Sequence, residues 1–216
     1  MKAFIFDLDG VLVDTAHYHF LAWSEICDSL DIPFSKEDNE KLKGIDRRNS
    51  LKILLKLGDI KLDESQFDYW LIKKNDIYTE MIDKLNRNDL FIGVIPLFEE
   101  LKKRNIKIGL GSASKNAKMI LKKLDIVNYF DAIVDGNMTT LSKPDPQVFL
   151  LNADKLGVQV EKCAVFEDSE AGIDAAITAN MKAIAIGNDP SIKHADLVFE
   201  NINSIDLNKV LSLYDN

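Results

Sequence analysis

Asp7 and Asp9 stand two residues apart, directly after the apolar run Ala3–Phe6 and directly before Gly10. In an extended chain, side chains two apart share a face, so a strand ending here projects both carboxylates together. Carboxylates so placed can divide labour between nucleophile and general acid/base. They can also hold a hard cation such as Mg2+, which prefers oxygen ligands. A bare Asp-x-Asp is more often a solvated turn, so the weight lies in what accompanies it. Three further polar clusters follow apolar stretches: Ser112 to Asn116, the pair Lys143-Pro144, and Glu167-Asp168. Each by itself reads as a helix cap, a loop or a turn. In a parallel sheet, however, all four clusters share the carboxyl edge, where open α/β sheets bind ligands. Converged there, Asp7, Asp168, Glu167 and the Asp9 carbonyl would offer oxygens to Mg2+. The Ser112 hydroxyl and nearby backbone N–H groups would cradle a phosphate, and Lys143 would supply counter-charge. A carboxylate approaches a phosphate dianion only with such neutralisation.

The elements that must position these residues alternate in type. Apolar β-rich runs predict strands at 3–6, 107–110, 132–134, 163–166, 183–186 and 197–199. Helical spacing predicts helices over 94–104, 117–124, 145–156, 170–179 and 207–213, several stopped by glycine or entered through proline. Strands alternating with helices read as a parallel sheet joined by right-handed crossovers. Short, continuously apolar strands imply a sheet covered on both faces. The stretch 15–92 breaks this rhythm. It predicts a helix over 16–30 capped by Asp14 or Thr15, then helices from Ser35, over 48–57 and over 63–85, with no convincing strand. The expected fold class is therefore α/β: a Rossmann-like parallel-sheet core (1–14 and 93–216) with helices on both faces, plus an inserted helical cap domain (15–92).

The chain has 216 residues, 46% of them hydrophobic, and a formal net charge of -8. That is enough for one core and a smaller appended unit. The acidic balance argues against a broad nucleic-acid surface but not against a local basic cluster binding a small anion. Cys27 and Cys163 lack metal-ligand spacing, and free thiols in a reducing cytoplasm are expected. The apolar run at the N-terminus is too short for a signal peptide or a membrane span. No membrane or nucleic-acid partner is expected.

In order, Asp7-Leu-Asp9-Gly-Val-Leu, Ser112, Lys143-Pro144 and Glu167-Asp168-Ser-Glu-Ala-Gly172-Ile resemble the four motifs of the haloacid dehalogenase superfamily, and they span the chain. The resemblance implies that Asp7 is the phosphorylated nucleophile and Asp9 the general acid/base. It implies that Ser112 and Lys143 hold the transferring phosphate, and that Asp7, Asp9, Glu167 and Asp168 serve Mg2+. The stretches 15–23, 42–51 and 73–78, with Ser112-Ala113-Ser114-Lys115-Asn116, are similar to the sugar-phosphate mutase branch of that superfamily. That branch interconverts β-glucose 1-phosphate and glucose 6-phosphate, with β-glucose 1,6-bisphosphate as intermediate and activating phosphodonor. Arg47 is then the clamp for the distant phosphate. Gly44, Ile45, Ser114, Lys115 and Asn116 would contact the sugar phosphate, and His19, Trp23, Leu42 and Lys74 would line the closed interface. Without the resemblance, Arg47 and Lys74 read as surface charges, Trp23 as core and His19 as a satisfied polar residue. The relatives' Pro-Gly return from the cap is Ile92-Gly93 here. The alternative activity is a sugar-phosphate phosphatase. A small-molecule sugar phosphate is the expected partner, and a monomer is expected because cap closure needs freedom.

Overall fold

Ala3–Phe6 forms a strand, β1, with every residue buried, as its Phe- and Ile-rich composition demands. The computed structural model describes residues 2–214. β1 lies at the centre of a six-stranded parallel sheet with β2 (Lys107–Gly111), β3 (Ala132–Val134), β4 (Cys163–Glu167), β5 (Lys182–Ile186) and β6 (Leu197–Phe199). The order is β3-β2-β1-β4-β5-β6. The strand order reverses at β1, so the crevice outside its carboxyl end is the topological switch point.

Alternation along the strands divides the core in two. Phe4, Phe6, Ile108, Leu110, Phe166 and Ile184 face one side. There they meet α5 (Val94–Lys103), α6 (Ala117–Lys123) and α9 (Leu207–Ser212). Ile5, Val165, Ala183 and Ala185 face the other, beneath α7 (Gln147–Leu156) and α8 (Glu170–Thr178). The expected α/β architecture with helices on both faces is what the chain adopts.

Between β1 and α5 in sequence lie four α-helices: α1 (Ala16–Ser29), α2 (Lys36–Glu40), α3 (Arg47–Leu57) and α4 (Glu64–Ile82). α2 and α4 start with reciprocal capping boxes, Ser35 with Asp38 and Asp63 with Gln66. The two connections to the sheet run side by side, since the Phe91 N–H donates to the Leu12 carbonyl at 3.0 Å and Val13 bridges Leu90.

At two helix starts an aspartate ahead of the helix takes the first N–H group. α7 begins at Gln147 rather than 145, because the Asp145 carboxylate takes the Gln147 N–H at 2.9 Å in a side-chain turn ahead of the helix. Thr15 occupies the N-cap of α1 but makes no capping bond. Asp14 instead accepts the Ala16 N–H at 3.1 Å.

Candidate active site

The β1–β4 ladder runs one residue past β1: the Asp7 N–H donates to the Phe166 carbonyl at 2.9 Å, which places Asp7 beside Glu167. β2 is in register on the other side, with Phe6 opposite Leu110, so Ser112 emerges just beyond. Gly10 turns the chain with φ +79°, and a Cβ there would overlap the Asp168 carboxylate. Three of the four predicted clusters therefore reach one edge through strand register. The fourth arrives on the loop before α7.

Lys143 binds these parts together. It is 3% exposed, and its Nζ donates to Asp7 Oδ1 at 2.6 Å and to Glu167 Oε1. Glu167 is fully buried. Its other oxygen accepts the N–H groups of Asp168 and Ser169, each at 3.0 Å, and the Ser169 hydroxyl at 2.8 Å. Asp7 Oδ2 accepts the Asp9 N–H at 2.9 Å. The Thr15 hydroxyl, freed from capping, donates to Asp9 Oδ1.

Charge crowding marks the site. Burial, then Glu167, pushes Asp7 up to about 6 against the lowering pull of Lys143. Burial, then the Asp7 charge, pushes Asp9 up to about 8. Burial and Glu167 raise Asp168 well above the carboxylate range. Its one cationic neighbour within 4 Å is Lys43 at 3.5 Å, among the described residues. Burial works to lower Lys143, but Asp7 and Glu167 together push it up, so it stays charged.

A divalent cation fits this excess of carboxylate, because it would lower the energy of ionised Asp7 and Asp168 together. Among the described residues no three His, Cys, Asp or Glu side chains form a ready metal cage. The oxygens that could hold the cation are those of Asp7, Asp168 and the Asp9 carbonyl, with the Glu167 carboxylate beside Asp7. Both Glu167 oxygens, like both Asp7 oxygens, accept hydrogen bonds: Oε1 from Lys143 and Oε2 from its own turn.

Above this edge a partly open chamber of about 200 Å3 is lined from the sheet by Asp7, Asp9, Asp168 and 112–116. From the helices it is lined by His19, Trp23, Leu42, Lys43, Gly44, Ile45, Arg47, Lys74 and Tyr78. Every sugar-phosphate contact expected from the sequence lies on its wall except Lys143, which sits beneath Asp7. Gly44, at φ +73°, lets the loop before α3 settle against Ser169, 2.8 Å from where a Cβ would be. In the 112–116 turn, the Ser112 and Ser114 hydroxyls accept the N–H groups of Ser114 and Asn116 at 3.1 and 3.2 Å.

The helical wall carries unbalanced positive charge. Lys74 is 2% exposed, with Nζ 2.9 Å from His19 Nδ1 and lying over the Trp23 and Tyr78 rings. Burial, then Arg47, drives its pKa well down. Burial, then Lys74 and Arg47, likewise keeps His19 well below its ordinary value. Burial also lowers half-buried Arg47. Its side chain hydrogen-bonds the Leu71 carbonyl, at 3.4 Å, and has no carboxylate in ion-pair contact among the described residues. Sequence reasoning missed Lys43 and Tyr78 as wall residues and Thr15 as the donor to Asp9. Thr15 looked like a cap, and no local pattern separates Lys43 or Tyr78 from the rest of their helical block.

Residues 1–180 match the family model described as haloacid dehalogenase-like hydrolase. The chain is 45% identical over 209 residues to the β-phosphoglucomutase of Bacillus subtilis, covering 96% of this chain and 92% of that protein. It is 33% identical over 187 residues to a phosphorylated carbohydrates phosphatase of Thermotoga maritima, covering 85% and 84%. Its structure superposes with a TM-score of 0.96 on the crystal structure of the β-phosphoglucomutase from Clostridium difficile, at 40% identity, covering 100% of this chain and 97% of that one.

Proposed function

The chain belongs to the haloacid dehalogenase-like hydrolase family, and we propose that its activity is that of a Mg2+-dependent β-phosphoglucomutase, converting β-glucose 1-phosphate to glucose 6-phosphate through the 1,6-bisphosphate. The observation that carries the reading is the polarity of the chamber. One end presents a nucleophilic carboxylate beside a phosphate cradle, and the other presents half-buried Arg47 and buried Lys74, neither in ion-pair contact with a carboxylate among the described residues. A substrate with one reacting and one distant phosphate supplies the missing anion at each end. Arg47 suits the distant one, because guanidinium meets phosphate in a bidentate fork.

In this reading Asp7 attacks the phosphoryl group while the Ser112 hydroxyl and the Ala113 N–H, which the turn's own hydrogen bonds leave free, hold its oxygens. Lys143 keeps Asp7 ionised and offsets charge on the transferring group. Asp7, Asp168 and the Asp9 carbonyl would hold Mg2+, which would supply further neutralisation of the transferring group's charge. Asp9, raised to about 8, holds a proton at neutral pH. It can donate that proton to a departing sugar oxygen and take one from the attacking hydroxyl. The bisphosphate then reverses its ends within the chamber, and the second phosphate meets Asp7. Residues 15–92 act as the cap that excludes water. An oriented hydroxyl can reach effective molarities of about 10⁵ to 10⁸ M, enough to outcompete water at the aspartyl phosphate.

The test is a product assay. Mg2+-loaded protein receives β-glucose 1-phosphate with a trace of β-glucose 1,6-bisphosphate, and glucose 6-phosphate and inorganic phosphate are followed together. The expected result is glucose 6-phosphate with little phosphate. Phosphate without glucose 6-phosphate would replace the mutase with a sugar-phosphate phosphatase, the activity named for the Thermotoga relative.

A further inference from the structure

Ser142 lies in the loop before α7, next to Lys143, and is bonded across the cleft to the start of α3. Its hydroxyl donates to Asp46 Oδ2 and accepts from Asn49 Nδ2 at 3.2 Å. The Asn49 amide also donates to Asp46 Oδ2, at 2.6 Å. The other Asp46 oxygen caps α3, taking the N–H groups of Arg48 at 2.8 Å and Asn49 at 3.1 Å. One carboxylate therefore both starts the helix and ties it to the sheet. Burial works to raise Asp46, but the bonds from Ser142 and from Asn49 and Arg48 outweigh it and keep the group ionised.

The neighbours of this triad give it significance. Arg47 follows Asp46 directly and Lys143 follows Ser142 directly. The triad thus links the cation at the distant end of the chamber to the cation under the nucleophile, one peptide unit from each. Asp46 borders the chamber itself. Asn49 and Ser142 face a second hollow of about 290 Å3 outside it, lined also by Lys52, Lys115 and Thr140. Other polar contacts join the helical block to the sheet domain. Asn75 with Asn116 at 2.9 Å and Lys43 with Asp168 at 3.5 Å involve chamber-lining residues, Asn116, Lys43 and Asp168, whereas Asp83 with Lys123 and Arg87 with Asp125 at 2.8 Å lie towards α6, away from the chamber. Ser142 and Asn49 do not line it, so their loss perturbs closure without removing a phosphate contact.

We propose that Ser142, Asp46 and Asn49 form a latch that holds the cap closed and sets Arg47 against Lys143, so that the aspartyl phosphate passes to a sugar hydroxyl rather than to water. This rests on the mutase reading. The latch residues are positioning residues, and the outer hollow is the route by which water enters when they part. A hydrogen bond to a charged group is strong enough that its loss shifts an equilibrium by roughly ten- to a hundredfold.

The test uses the full chain. Ser142→Ala is expected to lower glucose 6-phosphate formation by roughly tenfold or more and to raise the share of inorganic phosphate, while phosphorylation of Asp7 by a small acyl phosphate stays within about threefold. Ser142→Thr keeps the hydroxyl and should restore the product ratio. Asp46→Ser keeps a helix cap but is too short to reach Ser142, and it should copy Ser142→Ala. Combining the two should cost no more than either alone, as for groups acting as one unit. An unchanged product ratio in folded Ser142→Ala, or additive losses in the double variant, would overturn the proposal. Amide hydrogen exchange over 46–50 gives a readout independent of the reaction. It should rise in Ser142→Ala relative to wild type with inorganic phosphate bound, and unchanged exchange would equally overturn the latch. If wild type forms no glucose 6-phosphate, the mutase reading fails on its own and the exchange result still decides the latch.

Discussion

Replacing Lys143 by methionine keeps an unbranched chain of similar length and deletes one buried charge. Lys143 Nζ lies 2.6 Å from Asp7 Oδ1, and at an effective dielectric of about 20 such a pair attracts by roughly 6 kcal/mol. Desolvation of both ions offsets much of that, and removing one partner of a buried pair typically costs about 3–5 kcal/mol, because the other charge is stranded. The structure says which carboxylate suffers. Glu167 keeps three donors to Oε2 after the change, whereas Asp7 keeps only the Asp9 N–H. Asp7, already at about 6 with the lysine present, must therefore rise further and take up a proton. A carboxyl whose folded pKa exceeds its unfolded value of about 3.9 contributes stability below that value and loses it as pH rises through the folded pKa. The deficit of Lys143→Met against wild type should thus be small near pH 5 and reach its full size by about pH 8. Urea denaturation of metal-free protein at both values, followed by tryptophan fluorescence, measures it. A deficit below about 1 kcal/mol at pH 8, or one equal at the two pH values, would refute the assignment of Lys143 as the counter-ion of Asp7.

Other substitutions probe the remaining parts. Asp7→Asn should abolish turnover and phosphoprotein formation together, and residual activity in a clean preparation would remove it as nucleophile. Arg47→Ala should lower glucose 6-phosphate formation far more than phosphorylation of Asp7 by a small acyl phosphate, and equal losses would remove its role at the distant phosphate. Gly10→Ala places a Cβ on the Asp168 carboxylate at a positive φ. The backbone term alone costs roughly 1–2 kcal/mol, and Mg2+ affinity by calorimetry should fall with it; wild-type affinity would contradict the packing of Gly10 on Asp168. His19 is held neutral in the folded protein, so its contribution to stability is present above its unfolded pKa of about 6.5 and lost below it. His19→Gln should flatten the stability profile between pH 6.5 and 5 relative to wild type, and parallel profiles would count against a buried neutral imidazole.

Much of the molecule was legible in one dimension because its information is local. Strand and helix types follow from the period of apolar residues, and the acidic pair after β1 needs only the alternation of a strand. The four clusters could be assigned to one edge because parallel strands joined by right-handed crossovers leave no other arrangement. What stayed hidden depends on partners far apart in the chain. Lys74 and Arg47 sit in polar, helical sequence and look solvated, and only the packing of α1 against α4 and the loop before α3 against the sheet buries them. Thr15 reads as a cap until the fold turns its hydroxyl to Asp9. Glu167 reads as a metal oxygen alone until Lys143, 24 residues away, arrives beside it and the N–H groups of its own turn bond its second oxygen. The residues that can do chemistry were thus set by sequence. Which of them face each other, which lose their water, and which carboxylates and cations are left unbalanced were decided by tertiary structure, because desolvation and charge pairing act through space.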